Sequence, residues 1–178
     1  VGAVKADTLL VRTAASFVKN SVLSVAATTS PDAIDRAADA LSTASRPRIR
    51  VELPMTASIM EYTLHIKQPK MCDYVKKMVE KAKAVCDDVE FTAVDATRAE
   101  EAFLKEAVRS AVEAGATRVT LCDDAAILLP DDFAAFVVRV TEGVDVPVGV
   151  KCNNKNGVAT AAAILAVKNG ASCVKTSI

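Results

Sequence analysis

Asp87–Phe133 reads DDVEFTAVDATRAEEAFLKEAVRSAVEAGATRVTLCDDAAILLPDDF. "DVEFTAV" has the β-branched and aromatic content of a strand. Leu104, Ala107, Val108 and Ala111 then recur at helical spacing. Gly115 supplies a C-terminal stop for that helix. "RVTLCDD" is a second strand, and "LPDDF" opens a helix with Phe133, Phe136, Val137 and Val140 inward. A weak internal repeat extends the pattern. "AVEAGATRVTL" and "AVKNGASCVKT" share a helix end, Gly-Ala, two residues, a Val and a strand. Repeated units of this kind point to a parallel sheet with right-handed crossovers.

The same alternation runs outward in both directions. Leu10, Ala14, Phe17 and Val18 make an apolar stripe at helical spacing, and "SVLSVAA" follows as a short apolar run. "SPD" at Ser30–Asp32 has a cap, a first-turn Pro and an early acid, and Ile34, Ala37, Ala38 and Leu41 continue its buried face. "RIRVELP" is a strand. Pro69 opens a helix with Met71, Val75, Met78, Ala82 and Val85 on one side. "VPVGVKC" is a strand, a helix from about Val158 stops at Gly170, and "SCVKTSI" closes the chain as a strand. Six strands and six helices are expected. No G-x-G-x-x-G follows a strand, and no P-loop pattern occurs.

Composition narrows the class. The chain of 178 residues is 51% hydrophobic but only 4% aromatic, so Ala, Val, Leu and Ile must build its core. That mix suits buried strands under closely packed helices. Twenty-two basic residues match 22 acidic ones. No basic stripe stands out, which argues against nucleic acid, and low net charge leaves little repulsion against self-association. Five cysteines with no C-x-x-C pair speak against a disulfide scaffold and for a reducing compartment. "VGAVKADTLL" does not make a signal peptide, and no apolar run reaches membrane-spanning length. A cytoplasmic protein is expected.

Asp87–Phe133 closely resembles the fifth and sixth β/α units of the metal-dependent Claisen enzymes, the family of isopropylmalate synthase, homocitrate synthase and hydroxymethylglutaryl-CoA lyase. The family's strand is like "VEFS-x-EDATR", followed by a helix, "AGA", a strand and "DT-x-G". "FVKNSVLSVAATTSPDAIDRAADAL" looks like the third unit and "RIRVELPMTASIMEY" like the fourth strand and its loop. "VGVKCNNKNGVATAAAILAVKNGASCVKTSI" looks like the seventh unit and eighth strand. The resemblance implies a (β/α)8 TIM barrel with its site at the C-terminal ends of the strands. Residues 1–178 are expected to form one partial barrel domain, from after the second strand to the eighth. Six strands do not close such a barrel. The others are expected from sequence outside this chain or from a partner chain, and a homo-oligomer also fits.

The resemblance also says what has changed. The family's seventh strand ends in His-x-His-Asn-Asp, whose histidines bind a divalent metal. Here the matching positions are Lys151, Cys152, Asn153, Asn154 and Lys155. The catalytic Ser and Glu of the fifth strand correspond to Thr92 and Val94, and the loop His of the fourth falls on Ile59. Asp123 keeps the sixth-strand Asp, and Asp124 replaces its Thr. The sole histidine, His65, reads as a surface residue. An ammonium group repels a divalent cation, so no metal or other cofactor is expected unless the site is rearranged.

Strand alternation puts Arg50 with Glu52, Glu90 with Thr92, and Lys151 with Asn153, each pair on one face. By resemblance those faces point into the barrel, where charges must pair. Lys151 is expected to replace the metal's charge, balanced by Asp124. Lys151, Thr92 and Asp124 are the candidate catalytic residues; Asn153, Asn154, Asp123 and Arg50 are the candidate substrate-binding residues. Three functions compete. One is a divergent barrel that binds a 2-oxo acid or acyl-CoA without metal chemistry. A second is a lyase using Lys151 as a Schiff-base nucleophile; "VKTS" around Lys175 also resembles deoxyribose-phosphate aldolases. A third is an acyltransferase with a rearranged metal site of Asp123, Asp124, Cys152 and Asn154.

Overall fold

A computed structural model describes residues 5–177. The beginning of "VGAVKADTLL" and the final Ile178 of the closing strand lie outside the described residues. The elements run α1 (Lys5–Phe17), β1 (Leu23–Thr28), α2 (Pro31–Leu41), β2 (Pro47–Pro54), a short α3 (Ala57–Ile59) and α4 (Gln68–Lys83). They continue as β3 (Val89–Val94), α5 (Glu101–Glu113), β4 (Arg118–Asp123), α6 (Pro130–Val140), β5 (Val148–Cys152), α7 (Ala159–Lys168) and β6 (Cys173–Val174). The six strands form one sheet in sequential order, every pair parallel. Right-handed crossovers between sequentially ordered strands put all the helices on one face.

Period-2 alternation builds the two faces. Ile49, Val51 and Leu53 of β2 and Val89, Phe91 and Ala93 of β3 are fully buried. They pack with the helix stripes expected from spacing, such as Ile34, Ala37 and Leu41 of α2 and Leu104, Ala107, Val108 and Ala111 of α5. The intervening strand residues face away from this core and are mostly polar: Arg48, Arg50, Glu52, Asp88, Glu90, Thr92, Arg118, Thr120, Lys151 and, just past β6, Lys175.

Three expectations need correction. The stripe on α1 does not enter the core: Leu10 is 71% exposed and Phe17 80%, while Ala15 is the residue fully buried. The helix packs against α2, and the Leu10 and Phe17 side chains lie on its outer side. Val85 is half-exposed because α4 ends at Lys83 and the apolar face of that helix does not reach it. The closing strand is short: only Cys173 and Val174 pair in register with β5, and Thr176 and Ser177 are exposed. After β2 the chain also makes a helical detour, α3 continuing as a π-helical turn over Met60–Leu64. His65 ends that turn, exposed and in the left-handed conformation at φ 54°.

Gly149 stands alone inside β5. A Cβ there would meet Thr120 Oγ1 at 2.6 Å. That hydroxyl donates to Glu90 Oε1 at 2.6 Å, so the missing side chain makes room for a buried hydrogen bond. Gly149→Ala should lower the unfolding free energy by about 1–3 kcal/mol through overpacking, measured by urea titration. An unchanged midpoint would show that Thr120 moves aside freely.

Candidate functional site

The C-terminal ends of β3, β4 and β5 are tied by side chain to backbone. After β3, Asp95 takes a left-handed conformation at φ 58°, and its carboxylate is buried. It accepts from Arg98 Nε at 2.8 and 3.0 Å, from Arg98 Nη2, and from Thr56 Oγ1 at 3.2 Å. The Asp95 amide donates to Asp124 Oδ2 at 2.9 Å. Lys151 Nζ donates to the other oxygen of Asp124 at 2.9 Å. Lys155 Nζ reaches the Asp124 carbonyl at 3.3 Å. Asp123 Oδ1 accepts from Thr97 Oγ1 at 2.6 Å and from the Ile127 amide at 3.3 Å. The "DATR" turn thus fixes both acids that end β4.

Lys151 and Asp124 are partly open to water, their side chains 50% and 26% exposed. The hydrogen bond to Asp124 raises the Lys151 pKa from its ordinary value against a smaller opposing effect of burial. The amine is a fixed ammonium at neutral pH. That speaks against a nucleophile at this position, which needs a lowered pKa.

A deeper layer lies beneath. Arg50, Glu90 and Arg118 are register partners across β2, β3 and β4. Glu90 is 2% exposed. Its Oε1 accepts from Thr120 Oγ1 at 2.6 Å and from Thr92 Oγ1 at 3.2 Å, and it forms an ion pair with Lys175. Burial pushes the Glu90 carboxyl up; the Lys175 ammonium, the hydrogen bonds and the Arg50 charge together outweigh it and hold the pKa below the usual glutamate value. Strand alternation places Glu90 on the inward face, but neither it nor Thr120 is among the catalytic or binding residues expected from sequence. The signal for them was the isolated glycine in "VGVKC", which marks a close approach.

Between these layers lies an open cleft of about 1020 Å³. Arg50, Thr92, Lys151, Asn153 and Asn154 all line it, with Glu52 and Lys175. Thr92 directs its hydroxyl at Glu90, and Asp123 is buried against the DATR turn. Val94 adds an apolar wall. Burial raises the thiols of Cys122 to about 12 and Cys152 to about 11, with Asp124 and Asp123 respectively adding to it. Neither is a thiolate at neutral pH.

Among the described residues, the donors at these strand ends do not fit a divalent cation. Asp124 uses one oxygen on the Asp95 amide and the other on an ammonium group. Asn153 Oδ1 accepts from the Lys155 amide at 3.1 Å, and Asn154 Oδ1 from the Ala159 amide at 3.2 Å. Among the described residues, no group of three or more His, Cys, Asp or Glu could hold a metal ion. Nor, among them, is any helix long and apolar enough to cross a membrane.

Sequential parallel strands, helices on one face and a polar cleft at the strand ends define a barrel-type β/α protein. The chain matches the HMGL-like family model over residues 2–178 and belongs to that family. It is 34% identical to the 2-isopropylmalate synthase of Aquifex aeolicus (strain VF5), over 98% of this chain and 34% of that protein. It is 37% identical to the 2-isopropylmalate synthase of Xanthomonas oryzae pv. oryzae (strain MAFF 311018), over 82% of this chain and 29% of that one. Among solved structures, the hydroxymethylglutaryl-CoA lyase from Pseudomonas aeruginosa superposes with a TM-score of 0.75 at 11% identity, over 94% of this chain and 57% of that one. The HMG-CoA lyase from Brucella melitensis gives 0.73 at 13% identity, over 86% and 55%. These two likenesses establish the fold, a partial TIM barrel. The chain spans about a third of the length of the curated relatives it matches.

Because the Glu90 pKa is lowered in the folded state, its contribution to stability is present above the unfolded value of 4.5 and is lost as pH falls through the native one. The unfolding free energy should therefore drop below about pH 4.5 in wild type. The neutral pair Glu90→Gln/Lys175→Met should show a shallower acid limb in urea titrations across pH 3–7. Identical slopes would contradict an ionised, paired Glu90.

Proposed function

We propose that this chain is a divergent HMGL-like barrel that keeps the scaffold of the acyl-CoA and 2-oxo acid enzymes and lacks their metal-dependent chemistry. The observation that carries this reading is the Lys151–Asp124 ion pair at 2.9 Å, where the resemblance places a metal-binding histidine. A fixed ammonium at that point repels a divalent cation and attracts a carboxylate or carbonyl oxygen. Val94 and Ile59 replace the family's catalytic Glu and loop His, so no acid–base group is supplied there. Arg50 and Asn154 remain to orient a small 2-oxo acid or the acyl group of a CoA thioester. The 2-isopropylmalate synthase relatives support the scaffold and the class of ligand.

The partner follows from the edges. Among the described residues β1 and β6 each pair on one side only. In this reading further strands, from a longer protein or from a second chain, cover them, since open edges invite pairing. Free cysteines fit a reducing, cytoplasmic setting.

Metal binding tests the reading. Wild type, and the variant Lys151→His/Asn153→His, should be equilibrated with Mn²⁺, desalted and analysed by mass spectrometry, with CoA release from acetyl-CoA followed over a panel of 2-oxo acids. Wild type should hold no stoichiometric metal and release no CoA above blank, and the double variant should gain metal. One Mn²⁺ per wild-type chain, or metal-dependent CoA release, would overturn the proposal.

A further inference from the structure

We infer that the inner face of the sheet is a metal-independent binding site for a small, multiply charged oxyanion, gripped by Arg50, Lys151 and Lys175. The inference rests on the reading that fixed cations stand where the family holds a metal, and it names what those cations bind.

The charge count on this face favours an anion. Five cations on this face, Arg48, Arg50, Arg118, Lys151 and Lys175, meet four acids, Glu52, Asp88, Glu90 and Asp124. Lys168 adds a further positive charge to the lining of the cleft. Each acid already has its partner: Glu52 lies 3.4 Å from Arg50 Nη1, Asp88 pairs with Arg48, Glu90 with Lys175, and Asp124 with Lys151. The cationic groups are not used up in return. Arg50 Nε and Arg118 Nε are buried and lack a hydrogen-bond acceptor, whereas Lys175 Nζ is engaged by Glu90. A buried donor without an acceptor has lost its hydration with nothing in return. Of the two, Arg50 lines the cleft, where its unpartnered donor calls for an acceptor oxygen.

The groups share one space. Cys122, on the cleft wall, feels the charges of Lys151, Lys175 and Glu52 together, and Glu90 feels both Lys175 and Arg50. Arg50 comes up from β2, Lys151 from β5 and Lys175 from beyond β6, so they approach the cleft from different strands. Arg50 offers a planar fork suited to carboxylate or phosphate, and the two lysines act as point charges. Thr176 and Ser177 line the same cleft with hydroxyl groups. Small dicarboxylates and inorganic phosphate share the chemistry this arrangement reads. Low-dielectric walls focus the field of the cations into the cleft.

Isothermal titration calorimetry on the EDTA-treated chain at low salt tests the inference, with malonate in one arm and inorganic phosphate in the other. Saturable binding of at least one anion is expected, unchanged when EDTA is replaced by Mn²⁺; the arm that binds more tightly identifies the chemistry. Arg50→Gln, and separately Glu90→Gln/Lys175→Met, should each weaken it about tenfold or more, the loss of one charge-assisted contact. Lys77→Gln, on the exposed face of α4, should leave it unchanged. Circular dichroism of each variant confirms folding, and Lys151→Gln at the half-exposed rim gives a variant that does not disturb the buried pair. Absence of saturable binding to wild type overturns the inference. So does binding that survives Arg50→Gln, Lys151→Gln and the double variant alike. Binding that requires Mn²⁺ overturns it together with the metal-free reading, whereas no anion binding in a chain that also takes up no metal overturns this inference alone.

Discussion

A parallel sheet with all its helices on one face leaves its other face to be satisfied by some other means, and here that means is paired charge. Glu90 is the keystone of the arrangement. It is buried near the middle of the sheet, and its ionised form is sustained by Lys175, Thr92 and Thr120. Removing a single partner of such a pair leaves a buried charge uncompensated, typically at 3–5 kcal/mol. Neighbouring choices follow from it. Gly149 lacks a side chain where Thr120 must stand, and Lys175 reaches back from the shortest strand to meet the carboxylate.

The register then sets the height of everything else. With Arg50 beside Glu90 and Glu90 beside Arg118, one row of charge crosses three strands. Cys122 and Lys151 stand side by side nearer the C-terminal ends. Above them the DATR turn presents the Asp95 amide to Asp124, which in turn holds Lys151. Scaffold and cleft are therefore one hydrogen-bonded system. The Lys151 ammonium is held at the end of β5 because its partner Asp124 is itself anchored by the Asp95 amide.

Much of the fold was legible in the sequence. The periodicity of α2, α5 and α6 and the alternation of β2 and β3 are strong because one face of each element is buried and the other is not. Legibility failed at the edges. Leu10 and Phe17 of α1 carry a core-like pattern yet are exposed, and β6 is two residues long although "SCVKTSI" reads as a longer strand. The site was half legible. Lys151 and Asp124 could be read against a family motif, and their ion pair is present. Glu90 and Lys175 come from strands separated by two others, and no local spacing announces that pairing. Alternation turns Glu90 inward, and the lone strand glycine marks the close approach of Thr120, but neither names Lys175 as the partner.

The most direct test of the central claim, that a lysine charge has taken the place of a metal, is a crystal structure grown in Mn²⁺ with data collected at an anomalous wavelength. The account predicts no anomalous peak at the end of β5 and Lys151 Nζ within hydrogen-bond distance of Asp124. A Mn²⁺ peak ligated by Asp123, Asp124 or Asn154, with Lys151 turned away, would contradict it.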